Sequence, residues 1–205
     1  PLERRDRLVL HRLAVVDLAG AQEITGLVEQ LGLTARHRRE GETFGRLGEA
    51  TGFLEGRARL RPLTLGTPKQ MLPVVDRPMI EWVVGRLAEH GVDEAVLALG
   101  YRPDAFIEAY PDDECAGVRL AYAVEDVPLD TAGAIRFAAR EAGVDERFLV
   151  LNGDVLTDLD IGALLDAHDA GGGAGTIHLH PVDDPSRYGV VPIDGDGRVL
   201  AFVEK

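Results

Sequence analysis

Cysteine is nearly missing from this chain: its 205 residues hold one, Cys115. A single thiol excludes an internal disulfide framework, and a reducing cytoplasm is the simplest home for such a sequence. Cys115 follows Asp112, Asp113 and Glu114 in an acidic stretch with no histidine close by in sequence, and is read as a bystander in a loop. Long apolar runs are also missing. None approaches the roughly 18 residues of a membrane span, and Pro1 to Arg12 are too charged for a secretory signal, so no membrane association is expected. His90, His168, His178 and His180 show no metal-ligand spacing, although His178 and His180 share one strand face. Aromatic residues make up 5% of the chain, and none interrupts the basic cluster Arg36-His37-Arg38-Arg39. Without such interleaving, and with a net charge of −13, a surface that grips nucleic acid is not expected.

Lysine is nearly as scarce as cysteine. Of 22 basic residues only Lys69 and Lys205 are lysines. Arginine presents a planar fork and lysine a compact charge on a flexible stem, so a chain that otherwise uses arginine keeps lysine where the fork would not fit, as beside a phosphate in a crowded site. The charge is also uneven. Residues 1–62 carry eleven Arg against nine acidic residues, a net of +2, and residues 63–205 carry eleven basic against 26 acidic, a net of −15. An acidic body that binds polyanions must gather its few cations at the site or recruit a divalent metal.

One stretch does gather them. Arg59-Leu60-Arg61-Pro62-Leu63-Thr64 and Thr67-Pro68-Lys69-Gln70-Met71-Leu72-Pro73 bring two arginines and a lysine together, broken by three prolines and Gly66. Such a segment is neither a continuous helix nor a central strand; it is a stiff loop carrying cations.

Around it the pattern alternates. In the first part of the chain, Leu13 to Leu18 suits a short strand and Ile24 to Leu33 an amphipathic helix. After the loop, Pro78 opens a helix that carries Met79, Trp82, Val83, Arg86, Leu87 and His90 to a stop at Gly91. Ala95 to Leu99 suits a buried strand, Pro103 to Tyr110 a polar helix, Val118 to Val124 a strand, and Thr131 to Ala142 a helix capped by Asp130 or Thr131. Phe148 to Leu151 is a buried strand, and Asp160 to Ala170 a helix ended by Gly171-Gly172-Gly173. Ala174 to His180, Gly189 to Ile193 and Val199 to Val203 follow as strands, the last two joined by the turn Asp194-Gly195-Asp196-Gly197. Strands alternating with helices of about a dozen residues indicate an α/β, doubly wound, mostly parallel Rossmann-like sheet. Such sheets bind ligands beyond the carboxyl ends of their strands.

Asp154 stands at one of those ends. The strand carries the chain out through Leu151-Asn152-Gly153, glycine permits a turn and a close approach, and the carboxylate is left in the crevice. A carboxylate so placed suits Mg²⁺, which is held by one or two protein carboxylates together with phosphate oxygens; a plain turn or cap role is the competing reading. Asp158-Leu159-Asp160 resembles a metal-binding Asp-x-Asp pair but is commoner as a helix cap. The pairs Asp112-Asp113 and Asp183-Asp184 read as solvated turns.

Taken in order and spacing, Leu60 to Thr64, Pro68 to Pro73, Leu129 to Ala134, Leu151 to Asp154, Tyr188-Gly189-Val190-Val191 and Phe202-Val203-Glu204-Lys205 resemble the sugar-phosphate nucleotidyltransferases, or NDP-sugar pyrophosphorylases. The branch they are most similar to contains the mannose-1-phosphate guanylyltransferases and glucose-1-phosphate nucleotidyltransferases. The resemblance covers residues 59–205. It implies a nucleotidyltransferase catalytic domain there, acting on an NTP (GTP, dTTP or UTP) and a sugar 1-phosphate, with Mg²⁺ as cofactor, and it leaves homo-oligomer formation open. By this resemblance Arg59 clamps the triphosphate, Lys69 reaches the α-phosphate, Lys205 the sugar phosphate, and Asp154 holds the metal. Gln70 lies beside the phosphate loop. Glu125 and the backbone of Asp130, Thr131, Ala132 and Gly133 frame the base, and Tyr188, Gly189 and Glu204 line the sugar pocket.

Two departures from the family pattern stand out. The family's glycine-rich loop should occupy positions 54 to 58, where this chain has Leu54-Glu55-Gly56-Arg57-Ala58, and Asp130 replaces a usual glycine. The family also continues past the position of Lys205, with a second metal-binding aspartate, so the sequence reads as a fragment. For residues 1–58 the readings are a reading-frame error upstream of Arg59, a divergent extension, or a separate partner-binding module. The function expected is nucleotidyl transfer yielding an NDP-sugar, GDP-mannose or a glucose nucleotide. A non-catalytic nucleotide-sugar-binding regulatory subunit and a glycosyltransferase are the alternatives.

Overall fold

A computed structural model of the chain describes residues 8–16, 60–100, 102–145, 147–185 and 189–203. The expected helix at Ile24 to Leu33 and the basic cluster at Arg36 to Arg39 lie outside them. The described residues fall into two compact units. The chain leaves the first for the second after Asn152 and returns to it at Asp160.

The second unit holds the loop Leu60 to Pro68, a single 3₁₀ turn at Lys69–Met71, strands β2 (Pro73–Val74) and β3 (Arg77–Pro78), helix α1 (Met79–Glu89) and strand β4 (Glu94–Leu99). Helix α2 (Pro103–Ala109), strands β5 (Glu114–Cys115) and β6 (Val118–Val124), helix α3 (Asp130–Glu141) and the segment Gly153 to Leu159 complete it. β4 and β6 run parallel, from Glu94 opposite Arg119 to Leu99 opposite Val124. β5 folds back antiparallel onto the start of β6, placing β6 in the middle of a three-stranded sheet.

The α1 stripe explains how this sheet is covered. Ile80, Val83, Val84 and Leu87 are buried at i, i+3, i+4, i+7, as one face of a helix requires. Trp82, which the same helix carries, is 38% exposed. Ile80 and Val84 join Tyr110, Cys115, Val118 and Leu120 in one apolar cluster. Gly91, at φ +80°, supplies the left-handed residue just past the helix end, which suits its lack of a Cβ. Cys115 was expected in a loop; it lies on β5, 4% exposed, because the hairpin through Ala116 and Gly117 turns the acidic stretch back onto β6.

The first unit contains β1 (Leu8–Val16), β7 (Phe148–Leu151), helix α4 (Ile161–Gly171) and β8 (Gly175–Pro181). β1 lies between β7 and β8 and is antiparallel to both. The α/β alternation is thus present with its parallel pair at β4 and β6, while the other described pairings are antiparallel. The strands expected at Gly189 to Ile193 and Val199 to Val203 reduce to two isolated bridges, Val190 with Val203 and Ile193 with Val199. The turn between them competes with a longer ladder: the Asp194 carboxylate accepts from the backbone N–H of both Asp196 and Arg198, each at 2.9 Å.

Candidate functional site

The cation-bearing loop is built by its prolines. Pro68, at φ −55° and ψ 145°, cannot extend a preceding helix, and its carbonyl accepts from Met71 N–H at 2.9 Å to close the 3₁₀ turn. That turn raises Lys69 and Gln70 on consecutive positions. Upstream, Leu65 N–H donates to Pro62 O at 3.1 Å, and Thr64 is buried. Downstream, Met79 N–H donates to Leu72 O at 3.0 Å, so the start of α1 pins the end of the loop.

Lys69 Nζ donates to Asp154 Oδ2 at 2.7 Å, across 85 positions of sequence. The two side chains are 34% and 29% exposed. Gly153 lies beside both neighbouring elements: a Cβ there would lie 3.4 Å from Ile80 Cδ1 and 3.5 Å from Gln70 Cγ, in ordinary van der Waals contact, so the backbone turns alongside the 3₁₀ segment and α1. Lys69, Gln70, Gly153 and Asp154 therefore meet in one place.

A second group forms around the start of α3. Glu125 N–H donates to Leu99 O at 2.8 Å and prolongs the parallel pairing by one residue. Its carboxylate Oε2 accepts from Leu129 N–H at 3.1 Å. The N-cap of α3 is Leu129, with no side-chain cap bond, and not Asp130 or Thr131 as expected. The helix begins one residue earlier, and Glu125 engages the N–H of the cap residue from four positions upstream. The backbone of Asp130, Thr131, Ala132 and Gly133 forms the first turn of α3, whose early N–H groups have no partner within the helix. Gly133 packs tightly under Leu129, where an added Cβ would stand 2.7 Å from Leu129 Cβ.

Gly189 is exposed, in the first unit. Arg59, Tyr188, Glu204 and Lys205 lie outside the described residues, as does the Leu54 to Ala58 segment. The Asp-x-Asp possibility resolves toward the helix cap: Asp160 Oδ1 accepts from Ala163 N–H at 3.0 Å and starts α4.

Two arginines that the sequence reading did not assign to the site support it. Arg102, left-handed at φ 51°, donates from Nη1 to Gly66 O at 3.3 Å and pairs with both oxygens of Asp104. The hydrogen-bonded guanidinium holds the Asp104 carboxyl below its usual range. Arg86 donates from Nη2 to the carbonyls of Leu159 at 3.2 Å and Asp158 at 3.4 Å, and from Nη1 to Glu89 at 2.7 Å. It ties the segment carrying Asp154 to α1. Only the i, i+3 pairing of Arg86 with Glu89 leaves a trace in the sequence.

The donor set suits a hard divalent cation bound jointly with a ligand. Among the described residues no group of three or more His, Cys, Asp or Glu could form a closed metal site. One part-exposed carboxylate is what Mg²⁺ uses when substrate phosphates supply the remaining oxygens. The Lys69 ammonium already shows that the Asp154 oxygens face a cation.

Against this geometry, the family model described as nucleotidyl transferase matches residues 56–205. The chain belongs to that family. Mannose-1-phosphate guanylyltransferase of Mycobacterium tuberculosis is 39% identical to it over 147 residues, covering 72% of this chain and 41% of the relative. The Candida albicans mannose-1-phosphate guanyltransferase is 43% identical over 151 residues, 72% of this chain and 42% of its own. The Dictyostelium discoideum protein named mannose-1-phosphate guanylyltransferase catalytic subunit beta is 40% identical over 151 residues, 72% of this chain and 42% of its own. The chain spans about two fifths of the length of these curated relatives. Among solved structures, HddC of Yersinia pseudotuberculosis superposes with a TM-score of 0.51 at 24% identity, covering 68% of this chain and 60% of that one, which shows a shared fold. A second HddC structure, complexed with GMP-PN, gives the same TM-score at 25% identity and the same coverage.

Proposed function

We propose that this nucleotidyl transferase chain carries the nucleotide-handling part of an enzyme that moves a nucleotidyl group from an NTP to a sugar 1-phosphate. GTP and mannose 1-phosphate are the pair that the relatives' names favour, giving GDP-mannose and pyrophosphate. The observation that carries the reading is the meeting of Lys69 with Asp154, a flexible cation and a part-exposed carboxylate brought together across 85 positions of sequence.

In this reaction an oxygen of the sugar phosphate attacks the α-phosphorus in line. The P–O bond to the β-phosphate breaks as the new one forms, and pyrophosphate leaves with the electron pair. The protein's task is to align two polyanions and offset charge on the oxygens between them. Lys69 places an ammonium against the α-phosphate, with Gln70 beside it, and Arg59 clamps the β- and γ-phosphates. Glu125 and the backbone of Asp130 to Gly133 frame the base, the Glu125 carboxylate being a suitable acceptor for ring and amino N–H groups. Tyr188, Gly189, Glu204 and Lys205 receive the sugar phosphate. Mg²⁺ held by Asp154 would supply Lewis-acid stabilisation of the phosphate oxygens.

Exchange of labelled pyrophosphate into GTP from GDP-mannose tests the proposal. Label must appear in GTP, and Lys69→Ala and Asp154→Asn must each slow its appearance by about a hundredfold or more. Failure of exchange with every common nucleotide sugar would overturn the catalytic reading; retained nucleotide-sugar binding in that case would identify a non-catalytic binding subunit.

A further inference from the structure

The short Lys69–Asp154 contact raises a question of occupancy. Both groups are needed elsewhere during turnover: the ammonium on a phosphate, the carboxylate on a divalent cation. At 2.7 Å the Lys69 ammonium and Asp154 Oδ2 are engaged with each other. Lys69 rises from a 3₁₀ turn set by Pro68, and Asp154 follows Gly153, whose backbone runs beside Ile80 and Gln70. The flexible component is the lysine side chain, whose methylene stem can swing while the carboxylate stays in place.

We propose that Lys69 is the resident counter-ion of Asp154 before the metal arrives, and that divalent-cation binding at Asp154 releases the Lys69 ammonium to the nucleotide phosphates. This rests on the reading of Asp154 as the metal carboxylate. One carboxylate oxygen cannot serve an ammonium at contact distance and a dication without bringing two positive charges together, so the two cations compete. Competition is reciprocal: whatever the lysine costs the metal, the metal costs the lysine. The device keeps a part-exposed carboxylate neutralised in a chain that already carries net charge −13. It also delays delivery of the mobile cation until metal and nucleotide are present together. An arginine at 69 would not serve equally, because a planar fork tends to hold a carboxylate through two bonds and lets go less readily.

The test uses metal alone, with no nucleotide. Mn²⁺ binding to the 205-residue chain is followed by electron paramagnetic resonance, with Asp154→Asn as the baseline for adventitious sites on the acidic surface. Lys69→Met, which keeps the stem and removes the charge, is expected to tighten Mn²⁺ binding by roughly three- to tenfold at an unchanged Tm. Lys69→Arg is expected to weaken it. A variant-free measurement accompanies this one: with lysine labelled at ¹⁵Nζ the chain gives two side-chain ammonium signals, and Mg²⁺ should shift the one that Lys69→Met deletes. Unchanged or weaker Mn²⁺ binding in Lys69→Met, or a Lys69 signal indifferent to saturating Mg²⁺, would overturn the counter-ion proposal while leaving Asp154 as metal ligand. Wild-type binding equal to that of Asp154→Asn would remove both.

Discussion

Lys69 and Gly133 illustrate how single residues carry different kinds of burden here. Lys69 is a third exposed and belongs to no buried cluster among the described residues, so its replacement should cost activity more than fold. Lys69→Ala is expected to lower kcat of the exchange reaction about a hundred- to a thousandfold, the range seen when a charge-stabilising donor is removed, with the denaturation midpoint within error of wild type. Gly133 is the opposite case. A methyl group there would collide with Leu129 Cβ, which moves only with the backbone. Gly133→Ala is therefore expected to destabilise by about 1–3 kcal/mol, as overpacking does, and, under the proposal that this segment frames the base, to raise KM for the nucleotide. Urea melts and steady-state kinetics on that variant check both. A third residue-scale expectation concerns pH. Burial, with Glu81 nearby, pushes the Cys115 thiol up, and Tyr110, buried and donating to Glu81 at 3.2 Å, is pushed up as well. Both groups stay protonated longer folded than unfolded, so their contribution is complete below about pH 8.5 and declines as pH rises past it, with Tyr110 adding its share above about pH 10. Denaturation midpoints from pH 7 to 10.5 should fall across that window, and Tyr110→Phe should flatten its upper part.

At the scale of elements, the strongest periodic segments were legible. α1, β4, β6 and β7 fall within a residue or so of where Pro78, Gly91 and the apolar runs place them, because a proline start, a glycine stop and a buried face act locally. Elements decided by distant partners were not. The two-residue strand β5 exists only because Ala116 and Gly117 reverse the chain onto β6, and nothing within Glu114 and Cys115 announces it. The start of α3 escaped for a similar reason: Glu125, outside the helix, engages the N–H of its cap residue. Arg86 is the element-scale contact with the most to lose. It spans from α1 to the carbonyls of Asp158 and Leu159, and Arg86→Ala leaves those carbonyls and Glu89 without that donor. A loss of about 1–3 kcal/mol is expected, and Arg86→Lys, which keeps the charge and loses the fork, should recover only part of it. Chemical denaturation of the two variants side by side decides this. Asp160→Ala, removing the acceptor for Ala163 N–H, is expected to cost about 1 kcal/mol by the same assay.

Over the whole molecule, the sequence announced its site through scarcity. Two lysines among 22 basic residues drew attention to Lys69, and an Asn-Gly-Asp exit from a buried strand drew attention to Asp154; the structure joins them. What could not be read was how the loop is held, since Arg102 reaching Gly66 O and Gly153 lying beside Gln70 are consequences of chain crossings and not of local pattern. The family assignment now rests on residues 56–205, and the roles given to Arg59, Tyr188, Glu204 and Lys205 follow from the proposed reaction.

The chain has one tryptophan, Trp82, and its surroundings give it a use beyond packing. Its indole N–H donates to Val74 O at 2.9 Å, and the Arg77 guanidinium lies 4.5 Å from its ring, so the ring senses the β2–β3 ribbon that continues directly from the Lys69 loop. Its emission is thus a built-in optical probe of that ribbon: a ligand that rearranges the loop should change its intensity or colour in a cuvette, with no dye attached.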